Sequence, residues 1–298
     1  MAARALPIPL QAVSPWLEMG AYEFLWTKSG QTFKRLADMF RGKSALPSDF
    51  VLPGIAEECA REATGILHKA KVERFGIRIH GAGDYPDRLR DARNPVELLY
   101  FQGWWDLVES PCVAVVGTRT PSDEGIARAT KLSRCLARDG YTVVSGLAEG
   151  IDTAAHNAAM QAGGNTIAVL GTALSMAYPS ENRSLQEVIA RDYLLISQVP
   201  IVRHSRQQWQ ANRTFFPQRN VTMSALTKGT IIIEAGNTSG TLMQAKAAIE
   251  QKRKLFILDS CFQNPELTWP KQYEALGAVR VREYEDIKKH LGEAAPNR

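Results

Sequence analysis

From Cys112 onward, short and wholly apolar runs alternate with stretches whose apolar residues recur at helical spacing. The runs Cys112–Val116, Tyr141–Ser145, Thr166–Leu170, Tyr193–Ser197, Thr230–Ile233 and Leu255–Leu258 read as strands. The segments Ala127–Arg138, Asp152–Ala162, Asn182–Arg191, Val221–Thr227 and Thr241–Gln251 read as the helices between them. Runs without polar alternation belong to strands buried on both faces, as in parallel sheets. Strands alternating with helices predict βα units, hence an α/β fold with a doubly wound, mostly parallel sheet. In such a sheet ligands bind beyond the carboxyl ends of the strands.

The first 75 residues show a different pattern. Ser14-Pro15 sets a capping hydroxyl before a proline at the first helical position, and Trp16, Leu17, Ala21, Phe24 and Leu25 come after it at helical spacing. A second helix is expected over Gln31 to Phe40, and a third from Pro53-Gly54 through Ile55 and Ile66 towards Val72. These predict a small helical domain over residues 1–75, ahead of a connector and sheet domain over 76–298. Such bundles either bind DNA or only pack against a neighbour. The connector, Gly76 to Ser110, holds two short strands around Ile77–Ile79 and Leu98–Phe101, with turn signals at Asp84-Tyr85-Pro86 and Asn94-Pro95. It is too apolar for a free linker and is expected to pack on the sheet domain.

Composition narrows the class. With 298 residues, 45% hydrophobic and 22% charged, the chain suits a globular protein with a sizeable core. No apolar run approaches the roughly 20 residues of a membrane helix. The opening MAARALPIPL lacks a signal-peptide core, so a cytoplasmic location is expected. Cys59, Cys112, Cys135 and Cys261 show no CxxC pairing, which points to free thiols rather than zinc or disulfides. The net charge of +5 is small, but from Val199 to Lys254 nine basic residues stand against two acids, Glu234 and Glu250. A local basic surface suits a polyanion, either nucleic acid or a phosphorylated small molecule, and is otherwise a solvated face.

Candidate chemistry gathers at the predicted strand ends. After Val116 come Gly117, Thr118 and Arg119, then a helix start at Pro121-Ser122-Asp123: a strand, a glycine turn and a helix N-terminus, which together predict an anion site. After the second strand comes Ser145-Gly146-Leu147-Ala148-Glu149-Gly150-Ile151-Asp152. After the third come Gly171-Thr172 and then Tyr178-Pro179-Ser180-Glu181-Asn182. After the Thr230–Ile233 strand comes a loop carrying Ser239, Gly240 and Thr241. Loops of this kind are expected to converge with Arg119 on a phosphate-binding crevice, although helix caps use the same residues. Neither GxGxxG nor GxxxxGK[ST] occurs, so no nucleotide cofactor is implied. His156, spaced to share a face with Asp152, fits either a general base or a structural hydrogen bond, and no GxSxG elbow accompanies the serines.

The stretch from Val199 to Gln218 is the least regular part of the sheet domain. It interleaves Arg203, Arg206 and Arg213 with Trp209, Phe215 and Phe216, and Arg219 comes next. Cations for phosphates and rings for bases are what a single-strand binder needs. The rings serve equally to anchor a long loop, and of Phe215 and Phe216 one is expected buried and one available.

The motifs VAVVGTRTP, SGLAEGIDTAAH, IAVLGTAL with YPSEN, TFFPQRN and EAGNTSGTLMQAKAAIEQ occur in this order. Together they resemble the DNA-processing protein A (DprA/Smf) family over about Phe75 to Val281, and the helical part is similar to that family's SAM-like domain. The resemblance implies an extended Rossmann-like fold, a homodimer, cooperative single-stranded DNA binding and loading of a RecA-type recombinase in transformation or recombination, without catalytic chemistry or cofactor. It implies that Arg119 grips a backbone phosphate, that Arg213, Phe216, Arg219 and Asn220 hold a base against a ring, and that Gly117, Thr118, Gly146, Ser239, Gly240 and Thr241 line the pocket. Two positions depart from the family pattern: Val221 and Thr238 stand where arginines are usual. The chain is also expected to leave no room for a winged-helix domain before Arg298. The lost cations keep open a nucleotide-sensing module related to the phosphoribohydrolase superfamily, and a ligand-free interaction scaffold.

Overall fold

The computed structural model of the chain describes residues 13–83, 85–90, 92 and 94–292. The MAARALPIPL segment and Asp84 of the predicted turn lie outside the described residues. Nine strands form one sheet: β1 (Gly76–Ile79), β2 (Leu98–Gly103), β3 (Cys112–Val116), β4 (Thr142–Ser145), β5 (Thr166–Leu170), β6 (Leu194–Ser197), β7 (Gly229–Ile232), β8 (Lys254–Leu258) and β9 (Val279–Val281). Their order is β1-β2-β6-β5-β4-β3-β7-β8-β9. Every residue of β3 to β7 is buried, as unalternated apolar runs demand when helices cover both faces. From β3 the chain winds outward through β4, β5 and β6, then returns to pair β7 in parallel on the other side of β3, Val116 facing Ile232. That reversal opens a crevice at the carboxyl ends of β3 and β7.

The connector completes the sheet edge. β1 pairs antiparallel with β2, and β2 pairs antiparallel with β6 through Tyr100 opposite Ser197 and Phe101 opposite Ile196. Its apolar side chains have therefore gone into the sheet rather than into a loop.

Helices Pro15–Thr27, Phe33–Phe40 and Pro53–Lys69 form the N-terminal layer. Ser14 caps the first through Leu17 N, and Thr32 caps the second through Arg35 N at 3.1 Å. Tyr22, Leu25 and Trp26 are buried in one apolar cluster with Leu98, Leu99, Tyr100 and Val199 of the sheet layer. Two buried carboxylates tie this layer down. Glu18 accepts from Ser48 N at 2.9 Å and from the Ser48 hydroxyl. Glu23 accepts from Ile201 N at 2.8 Å, Val202 N at 2.9 Å and the Tyr100 hydroxyl. Burial nevertheless pushes the Glu23 carboxyl up to about 7.

The stretch from Val199 to Gln218, expected to be irregular, is helical: Ile201–Arg206, Trp209–Asn212 and the opening of Phe215–Leu226. Local pattern hides this for two reasons. The free amides at the start of the first helix are satisfied by Glu23, nearly 180 residues away in sequence. Pro217 reads as a breaker but occupies the first turn of its helix, where the missing N–H has no partner to lose. All four cysteines are unbridged, Cys112 and Cys261 buried and the other two half-buried. No described helix is long and apolar enough to cross a membrane.

Candidate nucleic-acid interface

The crevice at the switch between β3 and β7 is a cavity of about 790 Å³. Gly117, Thr118 and Arg119 come to it from the end of β3, and Ser239, Gly240 and Thr241 from the loop after β7. Tyr178 reaches it from the loop after β5, and Trp209, Arg213, Phe216, Arg219 and Asn220 from the helical stretch before β7. Three rings cluster on one wall. Tyr178 lies 4.5 Å from Trp209 and 5.6 Å from Phe216 between centroids, and Trp209 lies 6.0 Å from Phe216. The Arg119 guanidinium stands 5.9 Å from the centroids of both Tyr178 and Phe216. Arg119 and Arg213 are exposed, and neither has an acid partner among the described residues. Flat rings beside uncommitted guanidinium groups offer stacking and phosphate contact in one place.

Phe215 and Phe216 divide as the sequence predicts. Phe215 is 3% exposed and packs edge-on against Trp26 and Phe33 of the N-terminal layer at 6.0 and 6.1 Å. Phe216 turns the other way, over Gly171, where any Cβ would stand 2.3 Å from its ring. Adjacent residues thus couple the N-terminal layer to the crevice.

The basic stretch divides as well. Arg203 donates to Trp26 O at 3.3 Å and Gln31 O at 2.8 Å and lies over the Trp26 ring. Arg206 makes a forked pair with Glu62, Nε to Oε1 at 3.0 Å and Nη2 to Oε2 at 2.7 Å. These two arginines hold the N-terminal layer and are absent from the crevice, so the continuous basic-aromatic strip read from sequence is two separate devices.

Arg219, which the resemblance implied would help hold a base against a ring, is instead 6% exposed and comes to the cavity from behind. Its Nη1 donates to Gly146 O and to Val169 O, the latter at 2.7 Å, and its Nε donates to Asn220 Oδ1 at 2.9 Å. Asn220 passes the linkage on by donating to Gly240 O at 3.0 Å. A Cβ at Gly146 would stand 2.2 Å from the guanidinium, so any larger residue here would push Arg219 out of these bonds. Asp152 accepts from Gly146 N at 3.1 Å and Ala148 N at 3.3 Å; burial raises its carboxyl, and the nearby Arg219 charge partly offsets the rise. Arg219, Asn220 and Asp152 together shape the 146–148 and 236–241 loops.

The helix N-terminus after β3 is not an open anion site. Glu234, from the loop after β7, accepts from Ser122 N at 3.3 Å and from the Ser122 hydroxyl at 2.8 Å, and it crowds Gly125. A protein carboxylate already sits where the helix dipole favours an anion. Arg119 and Arg213 are the exposed cations of the cavity wall among the described residues. The hydroxyls of the 239–241 loop are also engaged: Ser239 donates to Thr241 Oγ1 at 3.0 Å, and Thr241 donates to Gly117 O at 3.1 Å. Gln244 donates to Thr230 Oγ1 at 3.2 Å, which leaves its buried Oε1 unpartnered at the crevice wall.

His156 takes its structural reading. It is fully buried outside the cavity, its Nδ1 2.7 Å from Thr166 Oγ1, and burial lowers its pKa to about 3. Of the two departures, Thr238 lines the cavity, whereas Val221 does not and offers only its carbonyl to Gln251 at 3.1 Å. Sequence reasoning missed Tyr178 as a ring of the site and Asn182 as its support. Asn182 Nδ2 donates to Leu147 O at 3.0 Å and Thr153 Oγ1 at 2.9 Å, tying the Tyr178 loop to the 146–150 loop. The YPSEN signal was visible, but not which way the ring would turn.

A doubly wound α/β fold with an aromatic and basic crevice at its switch point places the chain among the α/β proteins whose candidate site lies at the carboxyl ends of the strands. A family model described as DNA recombination-mediator protein A matches residues 76–292, and the chain belongs to that family. A Smf protein of Synechocystis sp. is 41% identical over 179 residues, 59% of this chain and 44% of that protein. DNA processing protein DprA of Streptococcus pneumoniae is 40% identical over 174 residues, 58% of this chain and 59% of that protein. The chain thus spans about half the length of these two relatives. The solved structure of DNA processing protein A from Streptococcus pneumoniae superposes with a TM-score of 0.67 at 29% identity, covering 93% of each chain. A structure of DNA processing protein A from Helicobacter pylori, which concerns that protein's single-stranded DNA binding mode, superposes with a TM-score of 0.61 at 26% identity, covering 73% of this chain and 95% of that one.

Proposed function

We propose that this protein binds single-stranded DNA, with bases stacked on Tyr178, Trp209 and Phe216 and backbone phosphates held by Arg119 and Arg213. The observation that carries the reading is the placement of the unpaired Arg119 guanidinium 5.9 Å from two rings of the trio. Membership of a recombination-mediator family supports a role in which the bound strand is protected and passed to a RecA-type recombinase, by a cytoplasmic homodimer with units at 1–75 and 76–298. Binding without catalysis is part of the proposal. It is supported by Asp152, the one acid lining the cavity among the described residues, being buried and engaged by two amides. The cavity volume also fits one nucleotide, which is the second reading.

The test is a fluorescence titration of a labelled single-stranded oligonucleotide against the full chain and Arg119→Ala, with duplex and mononucleotides as competitors. Salt-sensitive binding that Arg119→Ala abolishes and mononucleotides do not displace is the expected result. Displacement by a free nucleotide would replace this reading with the nucleotide sensor. Shortening of the oligonucleotide during incubation would overturn the absence of catalysis.

A further inference from the structure

Next to the aromatic crevice lies a second recess, a cleft of about 420 Å³ where the end of the Pro53–Lys69 helix approaches the Ile201–Arg206 helix. Trp209 lines both the crevice and this cleft. On the far side, Lys69, Ala70 and Ser175 are shared with a larger groove of about 1230 Å³ that runs along Lys71, Arg74, Trp104 and Arg183. Three recesses joined by common walls make one track across the molecule.

Three residues that line the middle cleft, His204, Gln207 and Asn212, carry buried polar atoms with no partner among the described residues. Asn212 is 3% exposed, and its Nδ2 donates to His204 O at 2.9 Å. That bond sets the amide orientation and leaves Oδ1 without a partner among the described residues. His204 Nε2 and Gln207 Nε2 are likewise buried and unpartnered. The His204 ring is 4% exposed and lies 6.3 Å from Phe215, which pins its plane. Buried polar atoms without partners are costly, so three of them just behind the wall of one cleft point to a ligand edge that presents donors and acceptors side by side once the His204, Gln207 and Asn212 side chains turn to meet it. A nucleobase edge has that chemistry.

In the outer groove five cations, Lys69, Lys71, Arg74, Arg183 and Arg191, outnumber two carboxylates, Glu73 and Glu187. Lys69, Lys71, Arg74 and Arg183 are exposed and have no acid partner among the described residues, whereas Arg191 is held by Asp192 at 2.6 Å. Lys71 has φ 62°, a left-handed backbone that glycine would adopt more easily at this helix end. Trp104, 66% exposed, offers a flat face beyond the cations.

We infer that a single strand leaving the aromatic crevice passes Trp209 into this cleft, where one base is held by its edge against His204, Gln207 and Asn212 while its backbone runs along Lys69, Lys71 and Arg74. The inference rests on the single-strand reading of the first site, and it assigns DNA contacts to residues 66–75, which precede the segment matched by the family model.

The test uses the full chain and fluorescence anisotropy, with mixed-sequence oligomers of about four and about sixteen nucleotides. The expected result for the double variant Lys69→Ala, Lys71→Ala is unchanged affinity for the short oligomer and about tenfold weaker binding of the long one. The magnitude of its log–log salt slope should drop by about 1.4. Gln207→Ala, at a half-buried position, should weaken only the long oligomer, with the slope unchanged. Wild-type affinity and slope in both variants, while Arg119→Ala still abolishes binding, would overturn the track and leave the first site standing. Equal losses for short and long oligomers would also overturn it. Failure of the unaltered chain to bind either oligomer would remove both readings.

Discussion

Arg119 and Arg219 carry the same charge and sit on the same cavity, yet their surroundings give them opposite tasks. Arg119 has no carbonyl or carboxylate partner among the described residues, so its guanidinium is available to a phosphate. Arg119→Ala should therefore abolish single-strand binding for all sequences alike, measured across a panel of oligonucleotides of different composition. Arg219 is bonded to Gly146 O and Val169 O, and its removal takes a buried charged donor away from both carbonyls. Arg219→Met should cost on the order of 3 kcal/mol in a urea unfolding midpoint, a loss of stability that Arg119→Ala does not share. Equal stability in the two variants would contradict the supporting role.

The N-terminal layer meets the sheet domain at Glu23 and His204, and these two, with His156 inside the sheet domain, link stability to protonation. Glu23, raised to about 7 from an ordinary 4.5, binds its proton more readily folded than unfolded, so its contribution is full below pH 4.5 and is lost as pH rises through 7. His156 and His204, lowered by burial to about 3 and about 4 from an ordinary 6.5, act in the opposite sense: stability falls as pH drops below 6.5. Each such proton is worth about 1.4 kcal/mol per pH unit within its window. Between pH 4.5 and 6.5 two histidines outweigh one glutamate, so the melting temperature should rise with pH, then turn over between 6.5 and 7. In Glu23→Gln the turnover should vanish and the rise below it should steepen, which a melting series in steps of pH would show. The forked Arg206–Glu62 pair at the same junction is half-exposed, and Arg206→Ala should lower stability by no more than about 1 kcal/mol.

For the whole molecule, net charge matters less than where cations are left uncommitted. Three arginines in the crevice would predict a salt slope near −2, but the burial of Arg219 leaves Arg119 and Arg213. At about −0.7 per single-strand phosphate contact the crevice alone should then give about −1.4. A slope near −2 on a short oligomer would show that Arg219 emerges to meet DNA. The interface itself was only partly readable from the chain. Gly117, Arg119 and the 239–241 loop were legible because strand ends in a doubly wound sheet converge by topology, whereas Arg213 and Phe216 were assigned to the site through the family resemblance. Tyr178, Asn182 and Gln244 were not, because a loop's composition does not reveal which side chain turns inward.

The alternation of apolar runs and helical periods determined the sheet, its parallel core and the edge on which a ligand site forms, since burial on two faces and short crossovers leave few alternatives. Simple adjacency of Phe215 and Phe216 also implied that one would be buried, because consecutive side chains do not readily point the same way. Only the tertiary structure decided which cations are free. Glu62, Trp26 and Gln31 engage Arg206 and Arg203, Gly146 and Val169 engage Arg219, and Glu234 fills the helix N-terminus beside Arg119. Each of those partners is remote in sequence, and a side chain's charge is written in the chain while its availability depends on what folds against it.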